Sequence, residues 1–218
     1  MKPTENQIVI DRYNRRLAEF GRDPRTLGWT KGKQKLRFHI LLSHWSLQDA
    51  TILDFGCGFG DMYDHCKELD PTVRYVGVDI NPQLIAEGRR HFPEAELFSA
   101  DVFEDGLPRQ YDYIFSSGVH NFKIEDNWQF ITDTFDLFDK YATRGFAVNF
   151  LSNRVEFELA DTYHADPVSI LELAYRYSNR VTLRNDYMPF EFTVFIDKRE
   201  TFDKNYTVYP DFMTFVTR

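Results

Sequence analysis

A run of alternating glycines and three aspartates are the residues that could do chemistry. The run reads Leu53-Asp54-Phe55-Gly56-Cys57-Gly58-Phe59-Gly60-Asp61. Glycine at every second position lets a backbone pass close to a ligand, and a helix starting just after it offers free N–H groups. A turn of this kind also serves plain strand-to-helix packing, so the motif alone decides little. Asp79 adds to it. It stands 19 residues after Gly60 at the end of an apolar run, where a carboxylate can accept both hydroxyls of a ribose. The plainer reading of Asp79 is a solvated strand end before an Asn81-Pro82 turn. The glycines run G-x-G-x-G rather than G-x-G-x-x-G, and Asp54 sits two residues before the first. A carboxylate there repels a pyrophosphate and suits an ammonium group. Asp101, followed by apolar Val102 and Phe103, suits the amino edge of an adenine against an apolar wall. Together these residues fit an adenosine carrying an amino acid better than a dinucleotide such as NAD.

Elements of one kind must hold such residues at one edge. Residues 51–55, 75–78, 96–100, 111–117 and 145–151 read as short apolar strands. Residues 62–69 and 127–141 read as helices between them, and Asn81-Pro82 as a helix start with Asn81 as cap and Pro82 at the first position. Short strands alternating with helices predict βαβ units, a doubly wound α/β sheet and right-handed crossovers. Asp166-Pro167 opens a helix to about residue 178. The runs 180–187 and 191–197 are separated only by Met188-Pro189-Phe190, too short a gap for a parallel crossover, so they predict an antiparallel hairpin and one reversed strand. Before the sheet, residues 5–20 carry Ile8, Tyr13, Leu17 and Phe20 at helical spacing, and residues 31–45 carry Leu36, Ile40 and Leu41.

Composition limits what the chain can be. With 218 residues it is one domain, or one domain with an appendage, divided as an N-terminal helical lid at 1–48, a core at 49–198 and a tail of unclear role at 199–218. Thirty-four acidic against 26 basic residues give a net charge of −8, which argues against nucleic acid as a partner. No apolar run is long enough to span a membrane, and the N-terminus shows no apolar signal segment. Cys57 and Cys66 form no metal-binding spacing, which leaves two buried thiols in a reducing cytoplasm and no metal site.

The segment from about residue 51 to 197 resembles the class I S-adenosylmethionine-dependent methyltransferases, a Rossmann-like superfamily. The resemblance lies in Leu53 to Gly60, Val76-Gly77-Val78-Asp79-Ile80, Ser99-Ala100-Asp101-Val102 and Tyr111-Asp112-Tyr113-Ile114-Phe115-Ser116-Ser117-Gly118. It implies a seven-stranded sheet and S-adenosylmethionine as cofactor. It implies further that Gly56 and Gly58 line the methionine part, that Asp79 takes the ribose hydroxyls, that Asp101 with Val102 contacts adenine, and that Asp54, Cys57, Ile80 and Ser117 also belong to the cofactor site. Gly28-Trp29, Gln34 and Arg37-Phe38 resemble the N-terminal lid of small-molecule members, with Trp29 covering the cofactor and Arg37 pairing with its carboxylate.

Methyl transfer is an in-line displacement, for which the protein aligns the groups and removes a proton where the nucleophile carries one. His120 follows the fourth strand and is the candidate general base. It could instead pack on the cofactor or cap the next helix. Arg154, Tyr163, His164 and Tyr187 are candidate substrate residues, each of which could equally be a surface or packing residue. The expectation is a cytoplasmic methyltransferase acting on oxygen or nitrogen of a small molecule. The alternatives are a non-catalytic cofactor-binding subunit and a methyltransferase of protein or RNA. Oligomeric state is left open.

Overall fold

In a computed structural model, residues 3–29 and 33–199 are described. Strand β1 (Thr51–Phe55) lies in the middle of a seven-stranded sheet of order β3-β2-β1-β4-β5-β7-β6. It pairs in parallel with β2 (Arg74–Asp79) and β4 (Tyr111–Ser117). Parallel pairing continues outward to β3 (Glu96–Ser99) and β5 (Ala142–Leu151). Strand β7 (Glu191–Asp197) is antiparallel to both β5 and β6 (Val181–Arg184), so it alone is reversed.

The strands are apolar because both sheet faces are covered. Leu53 and Phe55 belong to the core under helices α6 (Asn127–Tyr141) and α7 (Pro167–Ala174), with Phe135, Phe138, Ile170 and Leu173. Ile52 belongs to the opposite core, with Leu41 of α2 (Lys33–Leu42), Met62 and Cys66 of α3 (Met62–Leu69) and Ile85 of α4 (Pro82–His91). Helix α6 forms because Phe130, Ile131, Thr134, Phe135 and Phe138 recur at helical spacing, all buried, and Asp126 caps it by accepting from the Gln129 N–H. Burial of each such phenylalanine stabilises by about 1.5–3 kcal/mol. Asn81 caps α4, accepting from the N–H groups of Gln83 and Leu84, with Pro82 at the first position.

Several boundaries move. The second helix ends at Leu42 and not near Trp45, whose ring leaves the helix to stack on Tyr113 at 4.7 Å. The predicted start at Lys31 lies outside the described residues. The first hairpin strand stops at Arg184, because Arg184 bonds Asp186 at 2.7 Å to form a turn. A four-residue helix, α5 (Val102–Asp105), follows Asp101 where no element was expected. Among the described residues no helix is long and apolar enough to cross a membrane. Of the tail expected at 199–218, all but Arg199 lies outside the described residues.

This topology places the chemistry. From β1 the chain moves outward to β2 and β3, then returns to β4 and β5 on the other side. The carboxyl ends of β1 and β4 therefore open a crevice where the connections diverge.

Candidate functional site

Beyond Phe55 the chain turns sharply. Gly56 N–H and Cys57 N–H both donate to the Val78 carbonyl, at 2.8 and 3.0 Å. Gly56 holds φ of +70°, and a Cβ there would lie 2.2 Å from Val119 Cγ2. Only glycine fits that position. Asp79 ends β2 inside this turn. One of its oxygens accepts from Gly58 N–H at 2.9 Å and the other from Asn81 N–H at 2.8 Å. Burial raises the Asp79 pKa, and those two N–H bonds oppose the rise.

Asp54 is buried beneath the turn, accepting from the Tyr75 hydroxyl at 2.7 Å. Burial pushes its carboxyl up to about 7; the tyrosine bond lowers it, and the charges of Asp79 and Asp61 raise it further. Asp101 accepts from Asn6 Nδ2 at 2.6 Å and caps α5 through Phe103 N–H at 3.1 Å. All three aspartates border one cavity of about 400 Å³ at the crevice.

The N-terminal segment roofs the cavity. Helix α1 (Pro3–Phe20) contributes Asn6, Arg12, Tyr13 and Arg16. Trp29 lies on the backbone of Gly118, where a Cβ would come within 2.5 Å of the indole. The Arg37 guanidinium stands 4.1 Å from the Trp29 ring centroid. Behind it, Arg37 Nε donates to Glu191 Oε2 at 2.7 Å and Nη2 donates to Oε1. Glu191 Oε2 also accepts from Asn149 Nδ2 at 3.3 Å, and Asn149 Oδ1 accepts from Gly118 N–H at 2.8 Å. A buried chain of bonds thus links α2, β7, β5 and the end of β4.

The cavity brings together Trp29, Arg37, Asp54, Gly56, Cys57, Gly58, Asp79, Ile80, Asp101, Val102 and Ser117. It does not include His120, Arg154, Tyr163, His164 or Tyr187. His120 was expected to face the crevice. Gly118, at φ +79°, leads instead into a 3-10 turn at Val119–Asn121. That turn sends Val119 and Asn121 to the cavity and His120 inward. The imidazole packs 4.9 Å from Phe130 and 5.5 Å from Phe150, with neither ring nitrogen hydrogen-bonded. Arg154 is exposed and pairs with Asp166 at 3.0 Å. His164 Nδ1 meets the Ser152 carbonyl at 2.8 Å. Tyr187 spends its hydroxyl on Thr193 at 2.8 Å, and Tyr163 packs against the core. Arg37 was expected to await a carboxylate from the cofactor; it already holds Glu191.

Asn6, Arg12, Arg16 and Asn121, and Tyr13, which the sequence marks only as part of a helix face, also line the cavity. Tyr13 is held above its usual pKa by burial and then by the charge of Asp79. The signal was present as Asn6 and Tyr13, seven residues apart and so on one face of α1.

Burial pushes His120 down to about 3, and this gives a pH prediction. The unfolded chain takes up a proton near pH 6.5 and the folded chain does not, so stability falls as pH drops below 6.5. His120→Phe should remove that term, leaving the variant about 2 kcal/mol less acid-sensitive than wild type between pH 7 and pH 5. Urea unfolding at the two pH values measures it. An unchanged acid slope together with a 10²–10⁴-fold fall in kcat would return His120 to the role of base.

Residues 53–138 match the family model for a methyltransferase domain. A Mycobacterium tuberculosis chain provisionally named as a methyltransferase is 29% identical over 155 residues, covering 68% of this chain and 93% of its own. A trans-aconitate 2-methyltransferase from an Azoarcus species is 34% identical over 80 residues, 36% of this chain and 32% of its own length. Among solved structures, magnesium protoporphyrin IX methyltransferase from Synechocystis, with bound S-adenosylhomocysteine, superposes with a TM-score of 0.64 at 14% identity. That match covers 89% of this chain and 99% of the other, and at such identity it speaks for the fold alone.

Proposed function

We propose that the chain is a class I S-adenosylmethionine-dependent methyltransferase, whose cavity binds S-adenosylmethionine and serves methyl transfer to a small molecule. The observation that carries the reading is the convergence of the glycine turn, Asp54, Asp79 and Asp101 on one cavity at the divergence of the strands. The residues fit the cofactor. The turn at Gly56 leaves no room for a side chain, so its backbone can approach the methionine chain. Asp79 keeps lone pairs for ribose hydroxyls after accepting two N–H bonds, and Asp101 with Val102 forms a polar edge and apolar wall for adenine. Bound there, S-adenosylmethionine supplies an electrophilic methyl group.

The surrounding residues position and enclose. Trp29 and Tyr13 exclude water from above, so α1 and the segment to Trp29 cover the cavity, while α2 packs into the core. Arg37 has five N–H donors, and Glu191 engages its Nε and Nη2; the remainder can meet the methionine carboxylate. A small-molecule acceptor is supported by the roofed cavity, whose size suits an enclosed ligand, and by a relative named for trans-aconitate.

A thermal-shift series with S-adenosylhomocysteine, NAD and NADP tests the cofactor reading. At 100 times its dissociation constant, S-adenosylhomocysteine should add about 2.7 kcal/mol of stability. Stabilisation by NAD alone would overturn the assignment.

Asp54 gives a second measurement. With its carboxyl raised to about 7, it is largely protonated at pH 6 and ionised at pH 8. A ligand ammonium beside it favours the ionised form. S-adenosylhomocysteine should therefore bind about tenfold more tightly at pH 8 than at pH 6, with proton release at the lower pH. In the free protein the sign is opposite: a raised carboxyl pKa makes stability fall as pH climbs from 3.8 toward 7. Asp54→Asn should bind the ligand weakly and without pH dependence while stabilising the free chain at pH 8. Calorimetry across pH 6–8 decides it, and an equal slope in the variant would place the titrating group elsewhere.

A further inference from the structure

The cavity is polarised along the sheet edge. Its acids, Asp54 buried and Asp79 and Asp101 half-buried, lie at or just beyond the carboxyl ends of β1, β2 and β3, whereas Lys33 and Arg37, one turn apart on α2, meet it toward β5 and the start of β7. Arg12 and Arg16 of α1 also border the cavity, but Arg12 is paired with Asp161 and Arg16 donates to the Arg25 and Thr26 carbonyls; the two cations of α2 are held differently. Arg37 is fixed by Glu191. Lys33 is half-buried, its ammonium 4.5 Å from the Phe190 ring centroid, and among the described residues no carboxylate pairs with it. Phe190 is anchored in turn, its carbonyl accepting from Ser152 N–H at 3.0 Å. A cation on an aromatic wall with no carboxylate partner among the described residues, and with Leu151 alongside, is a seat for an anion that has an apolar body.

The other titratable groups of the cavity bear on what happens there. Asp161 is paired with Arg12 at 3.0 Å. The Cys57 thiol and Tyr13 hydroxyl are both pushed up by burial and stay protonated at neutral pH. The three cofactor-side acids are occupied by Tyr75, by backbone N–H groups and by Asn6. No histidine borders the cavity among the described residues. An acceptor that must surrender a proton, a hydroxyl or an ammonium, would find no base waiting and, as an ammonium, would face Lys33.

Building on the methyltransferase reading, we propose that the acceptor is a small carboxylic acid with an apolar body, held by Lys33 beside Phe190 and methylated on a carboxylate oxygen. The step balances without a base. The carboxylate oxygen forms a bond to the methyl carbon as the carbon–sulfur bond breaks, with that bonding pair passing to sulfur. A methyl ester and a neutral thioether result, and no proton is released. Lys33 acts by holding one carboxylate oxygen so that the other faces the methyl group.

The test uses the full chain, S-adenosylmethionine labelled in the methyl group, and the small-molecule fraction of a cell extract, with phenylacetate, cinnamate and hexanoate set against phenethylamine, phenol and hexanol. The expected product yields labelled methanol on mild alkali, the signature of a methyl ester, and no proton per turnover in weak buffer. Alkali-stable label, or one proton released per turnover, overturns the carboxylate proposal and leaves the methyltransferase reading standing. Binding of S-adenosylhomocysteine with no transfer to the extract or to any acid also overturns it. Failure of S-adenosylhomocysteine to bind removes the underlying reading itself. Lys33→Met should raise the acceptor KM, and the dissociation constant of the acid on the S-adenosylhomocysteine-loaded protein, about ten- to a hundredfold. S-adenosylhomocysteine affinity should hold, and Lys33→Arg should restore most of the loss. A fall in S-adenosylhomocysteine affinity matching the KM change would assign Lys33 to the cofactor and sink its role in acceptor binding.

Discussion

A Gly56→Val chain is expected to lose about 2–6 kcal/mol of stability and, where folded, to bind S-adenosylhomocysteine more than a hundredfold more weakly. Two costs combine. A branched residue at φ +70° is strained by about 1–3 kcal/mol. Its Cβ, 2.2 Å from Val119 Cγ2, must also push aside the turn that follows β4, an overpacking cost of about 1–3 kcal/mol. The cofactor loss follows because Gly56 and Val119 both border the cavity, so any relaxation that relieves the clash reshapes the site. Denaturant unfolding gives the first number and calorimetry the second. Near-normal stability and affinity would mean that the glycine turn is not the tight junction between β1 and β4.

Glu191→Leu should destabilise by about 3–5 kcal/mol, because it leaves Arg37 buried with an unpaired charge. The side chains of the pair are 6% and 0% exposed, so the loss should change little with added salt. The double variant Arg37→Met/Glu191→Leu should recover most of it, since an apolar pair of similar volume removes the desolvation cost as well as the attraction. That recovery separates a buried ion pair from a general packing defect, in which the two losses would add. The double variant should still bind S-adenosylhomocysteine less tightly than wild type. Full affinity there would exclude Arg37 from holding the methionine carboxylate.

The parts of the molecule legible in the sequence are those governed by local pattern. Residues 62–69 and 127–141 were read as helices at the bounds seen, because amphipathic spacing and caps are written in consecutive residues. Asn81-Pro82 behaved likewise. The reversed β7 followed from chain length alone, as three residues cannot span a parallel crossover. Boundaries failed where a side-chain contact overrode the pattern: Trp45 leaves its helix for the distant Tyr113, and Arg184 ends its strand on the nearby Asp186.

The site divides in the same way. Glycine and aspartate at strand ends point to the crevice because a βα turn holds them there, and the sequence by itself determined that Asp54, Asp79 and Asp101 lie at or just beyond the carboxyl ends of three strands. Whether a loop residue faces ligand or core is a matter of rotation about a few bonds, set by what it packs against. Gly118 and the turn after it rotate His120 between Phe130 and Phe150, some ten and thirty residues further on, and no local pattern carries that. The partner of Arg37 lies 154 residues away, and Tyr13 meets Asp79 only once α1 has folded across the sheet edge. The tertiary structure decided these positions, because burial and long-range charge pairing exist only after distant strands and helices have been brought together.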